Sequence, residues 1–496
     1  MKRLYKLAAI LILLPQLIIA QNFADGFRLS YNQIQGTARA AAMGNAFGAL
    51  GGDFTSLSIN PAGSALYLSG EFVITPNYFS NGTTLKAGNT NYTDNEQSFS
   101  INNIGAVGKF SANPTNSGVV SVNYGIGFNR LANFNGNSLA NFNQSGVSWL
   151  DDIAGYANNQ ALTNSYLKNK NLSDVYFRDW TTKLAWDTYL IDPDVDENNN
   201  VIDQKYHSIL YENEKVDQQK TISQSGKIDE YVLNLSINFN HKFYLGTTVG
   251  IQDINYKRIS TYGEAFNKNS FNFYDDYYMN GTGVNVKIGA IYKPVQSVRL
   301  GLAFHSPTFY RIDDRAELKM NSFLAANHSK SGESLYNYSF NTPMKLVASG
   351  ALVFAKKGLL SLDAEYQNYA SMRFRNGGNG GDNFNDLNSV MGNVFKSVIN
   401  LRVGAEYKVT KQFALRGGYE MYGNPFEKVL DEQTTLTGNT SVIGLGFGYT
   451  INSVSLNAAY TNTLLKTSEG NAQPNYYQLP GENLNHNIMF TLGLRF

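Results

Sequence analysis

The segment 485–496 alternates strictly between two kinds of side chain. Taken in steps of two, one set is apolar and the other mostly small or polar, namely Ile488, Phe490, Leu492, Leu494 and Phe496 against Asn487, Met489, Thr491, Gly493 and Arg495. Successive side chains of a β-strand point to opposite faces. A closed barrel in a bilayer needs apolar side chains outward and polar or small ones inward. The segment therefore predicts a lipid-facing strand of a membrane β-barrel.

Alternation of this kind recurs along the chain. In 401–409 the apolar and polar side chains separate completely by face, as Leu401, Val403, Ala405, Tyr407 and Val409 against Arg402, Gly404, Glu406 and Lys408. Together with segments such as 230–239 and 360–367, we count about fourteen strands, an even number as single-chain bacterial barrels require.

The connections between these strands alternate in length. Short turns are predicted at Asn113 and Pro114, Asn240 and His241, Pro294 and Val295, 356–358, Thr410 and Lys411, and Ile451 and Asn452. Long polar loops are predicted near 81–96, 132–226, 262–281, 314–341, 373–397, 424–440 and 467–484. Short turns on one side and long loops on the other are typical of an outer-membrane barrel. A soluble β-sandwich has no reason to collect every long loop at one end.

The N-terminal residues have the pattern of a secretory signal peptide. A basic start precedes the apolar run 7–14, and Ala20 is a plausible residue to cleave after. The apolar run is shorter than the roughly 20 residues that a spanning helix needs. We therefore expect export of the chain, with a signal peptide over 1–20 rather than a helical anchor.

Composition narrows the class of protein further. The mean hydropathy of the chain is −0.29. Its 32 tyrosines, 30 phenylalanines and 45 glycines favour a barrel with aromatic girdles over a soluble exported protein. Because the chain has no cysteine, disulfides and thiolate metal sites are excluded. Lys+Arg 40 against Asp+Glu 39 leaves no basic surplus for binding nucleic acid.

The glycine- and alanine-rich segment 22–66 lacks lipid-facing alternation, so we expect it inside the lumen as a plug. It contains Gly26-Phe27-Arg28-Leu29, then Gly36-Thr37-Ala38-Arg39-Ala40, Met43-Gly44, Gly52-Asp53 and Asn60-Pro61-Ala62-Gly63. These motifs resemble the N-terminal hatch of the FadL/TodX family of outer-membrane transporters for hydrophobic compounds. Further matches are RLGLAFHSP at 299–307, NTPMK at 341–345, the segment 401–407 and LRGGYEMYGNP at 415–425.

The resemblance implies an all-β fold: an antiparallel transmembrane β-barrel of about fourteen strands in the outer membrane of a Gram-negative bacterium. The predicted divisions are a signal peptide over 1–20, a hatch over 21–66 and a barrel over 67–496 with a long extracellular loop over about 132–226. The expected partners are a hydrophobic small molecule, outer-membrane lipid and, through Phe496, the barrel assembly machinery. We expect a monomer without a cofactor.

The resemblance also implies a route for long-chain fatty acids or similar compounds. Ligand is captured at the extracellular loops, passes beside the hatch and leaves sideways through the barrel wall. Lateral release is favourable because each buried CH₂ gains about 0.8 kcal/mol in lipid. The predicted gating residues are Asn60, Pro61, Ala62 and Gly63 of the hatch, together with Pro76.

The candidate ligand contacts are Phe27 in the hatch and the three tryptophans. Trp149, Trp180 and Trp186 all lie in the large loop, within stretches of helical spacing. They either form an exposed apolar groove or pack the loop's own core over the barrel mouth. The two interpretations can overlap.

Pro76 lies inside the first strand pattern. Proline cannot donate to a ladder and marks a bulge, an edge or a kink, so we expect a side opening near the seam between the first and last strands. In the resembled family the kink lies in the third strand, where this chain offers Gly125 and Gly127. Of the lumen-facing cations, Arg402 or Arg416 is the predicted partner of a ligand carboxylate.

Other functions are disfavoured by the remaining motifs. The acidic segment 192–203 approaches an EF-hand but has Glu197 where the turn needs glycine. The histidines show no close metal-ligand spacing, and neither a nucleophile elbow nor a P-loop is present, so no catalytic or metal site is predicted. The chief alternative is a barrel of the same family that binds protein partners, as in type IX secretion. An open porin is a third possibility.

Overall fold

The computed structural model describes residues 23–87, 90–111, 118–354, 357–377, 384–427, 435–469 and 479–496. The predicted signal peptide, the turn at Asn113 and Pro114, and Lys356 lie outside the described residues. None of the helices in these ranges is long and apolar enough to span a membrane.

The described chain is built mainly of β-strands. The strands are β1 Glu71–Ala87, β2 Thr90–Ser111, β3 Val119–Asn133, β4 Gly136–Ser145, β5 Ile191–Val195, β6 Val201–Ser208, β7 Val216–Phe239, β8 Phe243–Phe266, β9 Asn269–Val295, β10 Val298–His305, β11 Phe309–Phe323, β12 Asn327–Asn341, β13 Lys345–Phe354, β14 Gly358–Asn368, β15 Arg373–Asn376, β16 Ser397–Lys408, β17 Phe413–Tyr422, β18 Thr435–Leu436, β19 Thr440–Ile451, β20 Val454–Glu469 and β21 Leu479–Arg495.

Helices occur in the N-terminal segment and in two outer connections. The α-helices are α1 Phe23–Ser30, α2 Ala38–Ala42, α3 Trp149–Asn159, α4 Asn164–Asn169, α5 Trp180–Asp187 and α6 Asn385–Val394. Short 3₁₀ turns cover Phe54–Ser58, Pro61–Leu66, Leu172–Asp174, Phe177–Asp179 and Tyr369–Ser371.

All strands except the β5–β6 hairpin belong to one sheet that closes on itself. The closing pair is β1 with β21, in which Glu71 lies opposite Arg495. Several strands are interrupted and form one wall strand together, as β10 with β11, β12 with β13, and β14 with β15. The wall is a closed antiparallel barrel of 14 strands, which confirms the predicted fold.

Side-chain exposure confirms the alternation on which this prediction rested. In β21 the apolar Ile488, Phe490 and Leu494 are exposed toward lipid, whereas Asn487 and Thr491 are buried. Because a one-residue slip would exchange the two faces, this pattern fixes the register in which the barrel closes.

Three of the predicted long loops are instead tall hairpins. The ladder continues through 81–96, 262–281 and 314–341, where β1 pairs with β2, β8 with β9, and β11 with β12. Above the lipid one face of these strands is polar and exposed, whereas apolar side chains such as Phe271 and Leu318 are buried on the other face. The hydrogen bonds of the ladder continue although the lipid-facing alternation stops. The large connection near 132–226 is also structured, with β4, three helices, the β5–β6 hairpin and the beginning of β7.

We call residues 23–66 the hatch, because they lie inside the barrel and most of their side chains are buried. Its short helices begin at side-chain caps, since Thr37, Asp53 and Asn60 accept hydrogen bonds from Ala40, Thr55 and Ala62 backbone nitrogens. The chain then enters the wall at β1, after 67–70. The predicted boundaries of the hatch and barrel remain a proposal.

Candidate functional site

The hatch sits against the barrel wall at a belt of glycines. A Cβ atom added at any of these positions would lie 2.4 Å or less from a hatch atom; we call Gly246, Gly289, Gly301, Gly404, Gly418 and Gly444 the glycine belt. At Gly418 that Cβ would lie 2.1 Å from the nitrogen of Gly44, and at Gly404 it would lie 2.2 Å from the carbonyl oxygen of Met43. The belt spans six wall strands, so the hatch backbone touches the wall around much of the lumen.

Asn60, the first residue of the Asn-Pro-Ala-Gly motif, ties the hatch to two wall strands. Its Nδ2 donates to the carbonyl oxygens of Ala290 in β9 at 3.2 Å and Leu302 in β10 at 3.5 Å, and to that of Gly48 within the hatch at 2.6 Å, while its Oδ1 accepts from the nitrogen of Ala62. A Cβ at Gly289 would lie 1.9 Å from the same Oδ1. The motif therefore joins a helical cap to a wall contact, which gives Asn60 a structural role next to its predicted role in gating.

Charged and polar wall residues hold the hatch further. Arg39 pairs with Glu406 at 3.0 Å, and the backbone nitrogen of Gly48 donates to Asp363 at 2.9 Å. His305 Nε2 bonds the carbonyl oxygen of Ile59 at 2.8 Å. These contacts are buried, where removal of one partner would leave an unsatisfied polar group.

The structure places both predicted carboxylate partners in existing ion pairs. Arg402 pairs with Glu365 at 3.0 Å and lies 3.9 Å from Glu420, and Arg416 pairs with Glu406 at 2.7 Å. Nη1 of Arg402 has no hydrogen-bond partner within the described residues. However, Arg402 does not line the cavity between the hatch and the wall that is described below, so this nitrogen does not face that cavity. Neither arginine is brought together with the other candidate ligand contacts.

Helix α1 packs into an apolar cluster in the outer half of the lumen. The aromatic members of this cluster, which we call the aromatic shell, are Tyr256, Tyr277, Tyr310, Tyr338, Phe340, Tyr369, Phe374, Phe384, Phe395 and Phe426. Phe27 of α1 lies 5.0 Å from Phe426 between ring centroids, and Phe23 lies 6.1 Å from Phe395. The predicted ligand contact Phe27 thus packs against this apolar cluster.

A polar cavity lies beneath the shell, between the hatch and the wall. Its empty volume is about 560 Å³ including its open mouth, and it is lined by Ser30, Asn32, Ile34, Ser58, Ile59, Leu131, Glu230, Gln252, Asn285, Lys287, His305, Ser306, Thr308, Thr342, Pro343, Lys345, Glu365 and Gln367. Leu131 belongs to both the cavity and the apolar cluster of the shell, and Ile34 packs against that cluster. The two spaces are therefore adjacent.

The wall next to this cavity is interrupted in two neighbouring strands. His305 lies opposite Lys345 below the interruption and Phe309 lies opposite Asn341 above it, in the same register, so Pro307 faces Pro343. Proline has no N–H to donate, and the regular ladder stops over 306–308 and 342–344. Two hydrogen bonds remain between these two segments, from Thr342 N to Thr308 O at 3.1 Å and from Thr308 N to Thr342 Oγ1 at 2.8 Å. We call this interruption the proline break.

The lipid side of the proline break is apolar, while its lumen side is polar. Phe304, Phe309 and Met344 are exposed on the outer surface. Ser306, Thr308, Thr342 and Pro343 line the cavity. Against β9 the strand carries one extra residue here, which is a β-bulge. Sequence reasoning missed this place, although the prolines in HSP and NTPMK carry the same signal that singled out Pro76.

Pro76 lies at a bulge, as the sequence pattern allowed. Thr75 pairs with Asn103 and Pro76 with Ile101, which leaves Asn102 without a partner in β1. Across the seam, Thr75 Oγ1 and Thr491 Oγ1 are 2.8 Å apart. The seam therefore keeps side-chain contacts where its backbone pairing is irregular.

The third strand is regular at the two glycines predicted as a kink. β3 pairs with both β2 and β7 in unbroken register through Gly125 and Gly127. A Cβ at Gly125 would lie 2.5 Å from Leu57, and at Gly127 it would lie 2.7 Å from Phe54. These glycines make room for hatch side chains.

The tryptophans pack the core of an external domain, which we define as 149–208. Trp149 and Trp180 are buried, and Trp149 contacts Tyr262 and Phe273 at centroid distances of 5.3 and 4.9 Å. Trp186 is partly buried against Tyr206. Of the two interpretations left open by the sequence, the packed loop core describes Trp149 and Trp180.

The acidic segment 192–203 forms the turn of the β5–β6 hairpin. Asp196 accepts hydrogen bonds from the nitrogens of Asn198 and Asn200, both at 2.8 Å. In the part of the chain that the structure describes, no group of three or more histidine, aspartate or glutamate side chains could hold a metal ion.

Comparisons with known proteins agree on one family. The sequence model described as outer membrane protein transport protein (OMPP1/FadL/TodX) matches residues 211–496, which is more than half of the chain. A FadL homologue from Pseudomonas aeruginosa is 14% identical, with 93% of this chain and 98% of that chain covered and a TM-score of 0.50. This likeness shows a shared fold.

Two further solved structures are similar. The Ralstonia pickettii toluene transporter TbuX is 12% identical with a TM-score of 0.49, and the Pseudomonas putida toluene transporter TodX is 11% identical with a TM-score of 0.48. For both, the alignment covers 93% of this chain and 98% of theirs. No curated protein sequence matches the chain.

Proposed function

Because this chain belongs to the OMPP1/FadL/TodX family of outer-membrane transporters of hydrophobic compounds, we propose that it carries long-chain fatty acids or similar amphipathic molecules inward by passive diffusion. Ligand enters the aromatic shell from the extracellular side, the hatch controls its passage, and it leaves sideways through the wall. The observation that carries this proposal is the sequence of spaces in the lumen: an aromatic shell, a cavity at the hatch and a wall interruption beside that cavity.

The aromatic shell suits the capture of an apolar chain. Burial of a large apolar side chain such as Phe27 is worth about 1.5–3 kcal/mol, and a ligand chain that takes the place of α1 recovers a similar gain. Displacement of α1 by ligand is therefore close to an exchange of equivalent contacts. That exchange gives the hatch its proposed gating role.

The hatch makes direct passage to the periplasm unfavourable. Its contacts with the glycine belt and the bonds of Asn60 fill the lumen below the cavity. An apolar chain loses about 0.8 kcal/mol per CH₂ when it leaves lipid for water, so a sideways route is the downhill one. We place this exit at the proline break, with the bulge at Pro76 as the alternative.

Mass spectrometry of small molecules extracted from the purified protein tests this function. We expect hydrophobic or amphipathic small molecules, together with loss of uptake in cells that lack the protein. Co-purified cargo proteins without any such ligand would contradict transport and support the secretion role instead.

Deletion of 60–63 tests the part played by the hatch. Cells that carry the folded deletion variant should take up a radiolabelled long-chain fatty acid at a different rate from cells that carry the wild type, if Asn60 anchors the hatch during transport. Unchanged uptake would remove the hatch from the mechanism. Heat-modifiable migration of the barrel on a gel serves as the control for folding.

A further inference from the structure

The cavity at the hatch contains buried amide oxygens that lack hydrogen-bond partners. Within the described chain, Oδ1 of Asn32, Oδ1 of Asn285 and Oε1 of Gln367 have none, and all three residues line the cavity. Asn285 and Gln367 are almost completely buried. Since buried polar groups are nearly always paired with protein, water or ligand, these oxygens point to an occupant that donates hydrogen bonds.

Neighbouring groups fix the orientation of two of these amides. Nδ2 of Asn285 donates to Thr308 Oγ1 at 3.0 Å and to Glu230 at 3.3 Å. A carboxylate and a backbone carbonyl accept only, so the amide nitrogen must point toward them. Nε2 of Gln367 likewise donates to the carbonyl oxygen of Ser30 at 3.4 Å. The side-chain oxygens of Asn285 and Gln367 are therefore the atoms that lack a hydrogen-bond donor.

The cavity lining carries two lysines and two glutamates, which equal one another in charge. Lys287 pairs with Glu230, while Glu365 lies 3.7 Å from Lys345 and also pairs with Arg402, which in turn lies 3.9 Å from Glu420. An incoming carboxylate or ammonium would add an unbalanced charge in a buried site, which is costly without a new partner. An uncharged donor, such as a hydroxyl group, meets the free acceptors without this penalty.

We propose that the cavity binds the uncharged, hydroxyl-bearing head group of an amphipathic ligand, whose apolar chain extends past Leu131 into the aromatic shell. This proposal rests on the proposed transport function and names the ligand class within it. It differs from the sequence-based expectation of a carboxylate held by Arg402 or Arg416. The binding energy would be divided between three oriented acceptors and the apolar contacts of the chain.

Matched twelve-carbon compounds test the proposal. The protein is placed in lipid nanodiscs, because detergent would compete for the site, and binding of labelled dodecanol, dodecanoate, dodecylamine and dodecane is compared. We expect dodecanol to bind about tenfold or more tightly than each of the others, because one or two net hydrogen bonds of about 1 kcal/mol each are gained without charge burial. Stronger binding of dodecanoate or dodecylamine, or equal binding of dodecane, would overturn the proposal.

Substitutions in the cavity locate the effect. Gln367→Leu and, as a smaller change, Asn32→Ala should each reduce the preference for dodecanol over dodecane. Asn77→Leu, at a buried amide in the seam between β1 and β21, should leave that preference unchanged. A preference that both cavity variants retain in folded protein would place the head group elsewhere.

The same experiment separates this proposal from the transport function. If dodecane and dodecanoate bind and are taken up as well as dodecanol, transport stands and the head-group site is wrong. If no twelve-carbon compound binds or enters cells through the protein, the transport function itself fails.

Discussion

At the scale of single residues, glycine determines how the hatch and the wall fit together. The wall strands that face the hatch carry glycine where its backbone passes, and the hatch itself turns at Gly44, whose φ is +56°. In β17, Gly418 faces the hatch while Gly417 faces the opposite way. Two adjacent glycines of one strand thus differ in whether a Cβ atom can be added to them.

Gly418→Ala should destabilise the protein, whereas Gly417→Ala should have little effect. The new Cβ at 418 would overlap the backbone of Met43 and Gly44, while the nearest atom to a Cβ at 417 is 3.7 Å away. Overpacking of this kind costs about 1–3 kcal/mol. The temperature at which the barrel loses its heat-modifiable migration measures the effect, and equal values for the two variants would contradict the close fit.

Asp152 in the external domain makes stability depend on pH. Burial first, and then the charges of Asp151 and Glu264, raise the pKa of Asp152 to about 6. In the unfolded chain an aspartate has a pKa of about 3.9. The folded state therefore binds this proton more strongly, so the contribution of Asp152 to the stability of the domain is highest below about pH 4 and falls as the pH rises to about 6.

Asp152→Asn should remove this dependence and stabilise the domain at pH 7.5. All three tryptophans lie in the external domain, so tryptophan fluorescence during denaturation reports this domain selectively. Glu197→Gln, at an exposed carboxylate of the same domain, is the control and should keep the wild-type pH profile. If the stability of Asp152→Asn depended on pH as that of the wild type does, ionisation of the Asp152 carboxyl would not destabilise the folded domain.

At the scale of elements, the sequence predicts what lies in lipid better than what lies in water or in the lumen. Alternation identifies β16 and β21 because one face of each meets lipid. It changes in the tall hairpins, such as β11 with β12, where the exposed face is polar and apolar side chains such as Leu318 and Met320 are buried instead. The packing of α1 against Phe395 and Phe426 joins residues far apart in the chain, and no periodicity in the sequence reports such a contact.

Pro307 and Pro343 show a different limit of the sequence. Each lies inside a strand pattern and carries the signal that was read at Pro76. That they face one another follows only from the register of β10 with β13 and of β11 with β12. A single proline indicates an irregularity, whereas two opposite prolines interrupt a wall.

Removal of α1 should open the aromatic shell to ligands. Deletion of Phe23–Ser30 leaves the glycine belt contacts of 41–62 in place but exposes the rings around Phe27. We expect more binding of the apolar fluorescent probe 1-N-phenylnaphthylamine to purified protein in nanodiscs. Phe27→Ala should give a smaller increase, and Phe309→Ala, on the lipid-facing surface, none. Unchanged probe binding after the deletion would contradict the view that α1 occupies the ligand space.

At the scale of the whole molecule, two of the irregular places in the described wall lie on opposite sides of the barrel. The bulge at Pro76 lies in the pairing of β1 with β2, next to the seam between β1 and β21, and the proline break lies halfway around the barrel, between the seventh and eighth wall strands in the strand order. The cavity adjoins the proline break. In the proposed route, ligand passes from the aromatic shell through the cavity to the proline break, and the hatch does not need to leave the lumen.

A reversible crosslink across each irregular place should decide where ligand leaves. The chain has no cysteine, so paired substitutions introduce the only thiols. Thr308→Cys with Thr342→Cys bridges the proline break, because the register places these two cavity-lining positions opposite one another, and cross-strand neighbours have Cβ atoms about 4.5–5.5 Å apart. Asn77→Cys with Ser100→Cys bridges β1 and β2 beside Pro76, where these residues are paired.

We expect oxidation of the 308–342 pair to stop most fatty acid uptake, and reduction to restore it, because an opening at this place must separate the two strands. Oxidation of the 77–100 pair should leave uptake unchanged, and each single cysteine variant controls for the substitutions themselves. The reverse result would place the exit at the bulge between β1 and β2 near Pro76. Full uptake with both crosslinks formed would contradict lateral release at either place and would favour another path, past the hatch or at the register shift between β3 and β7.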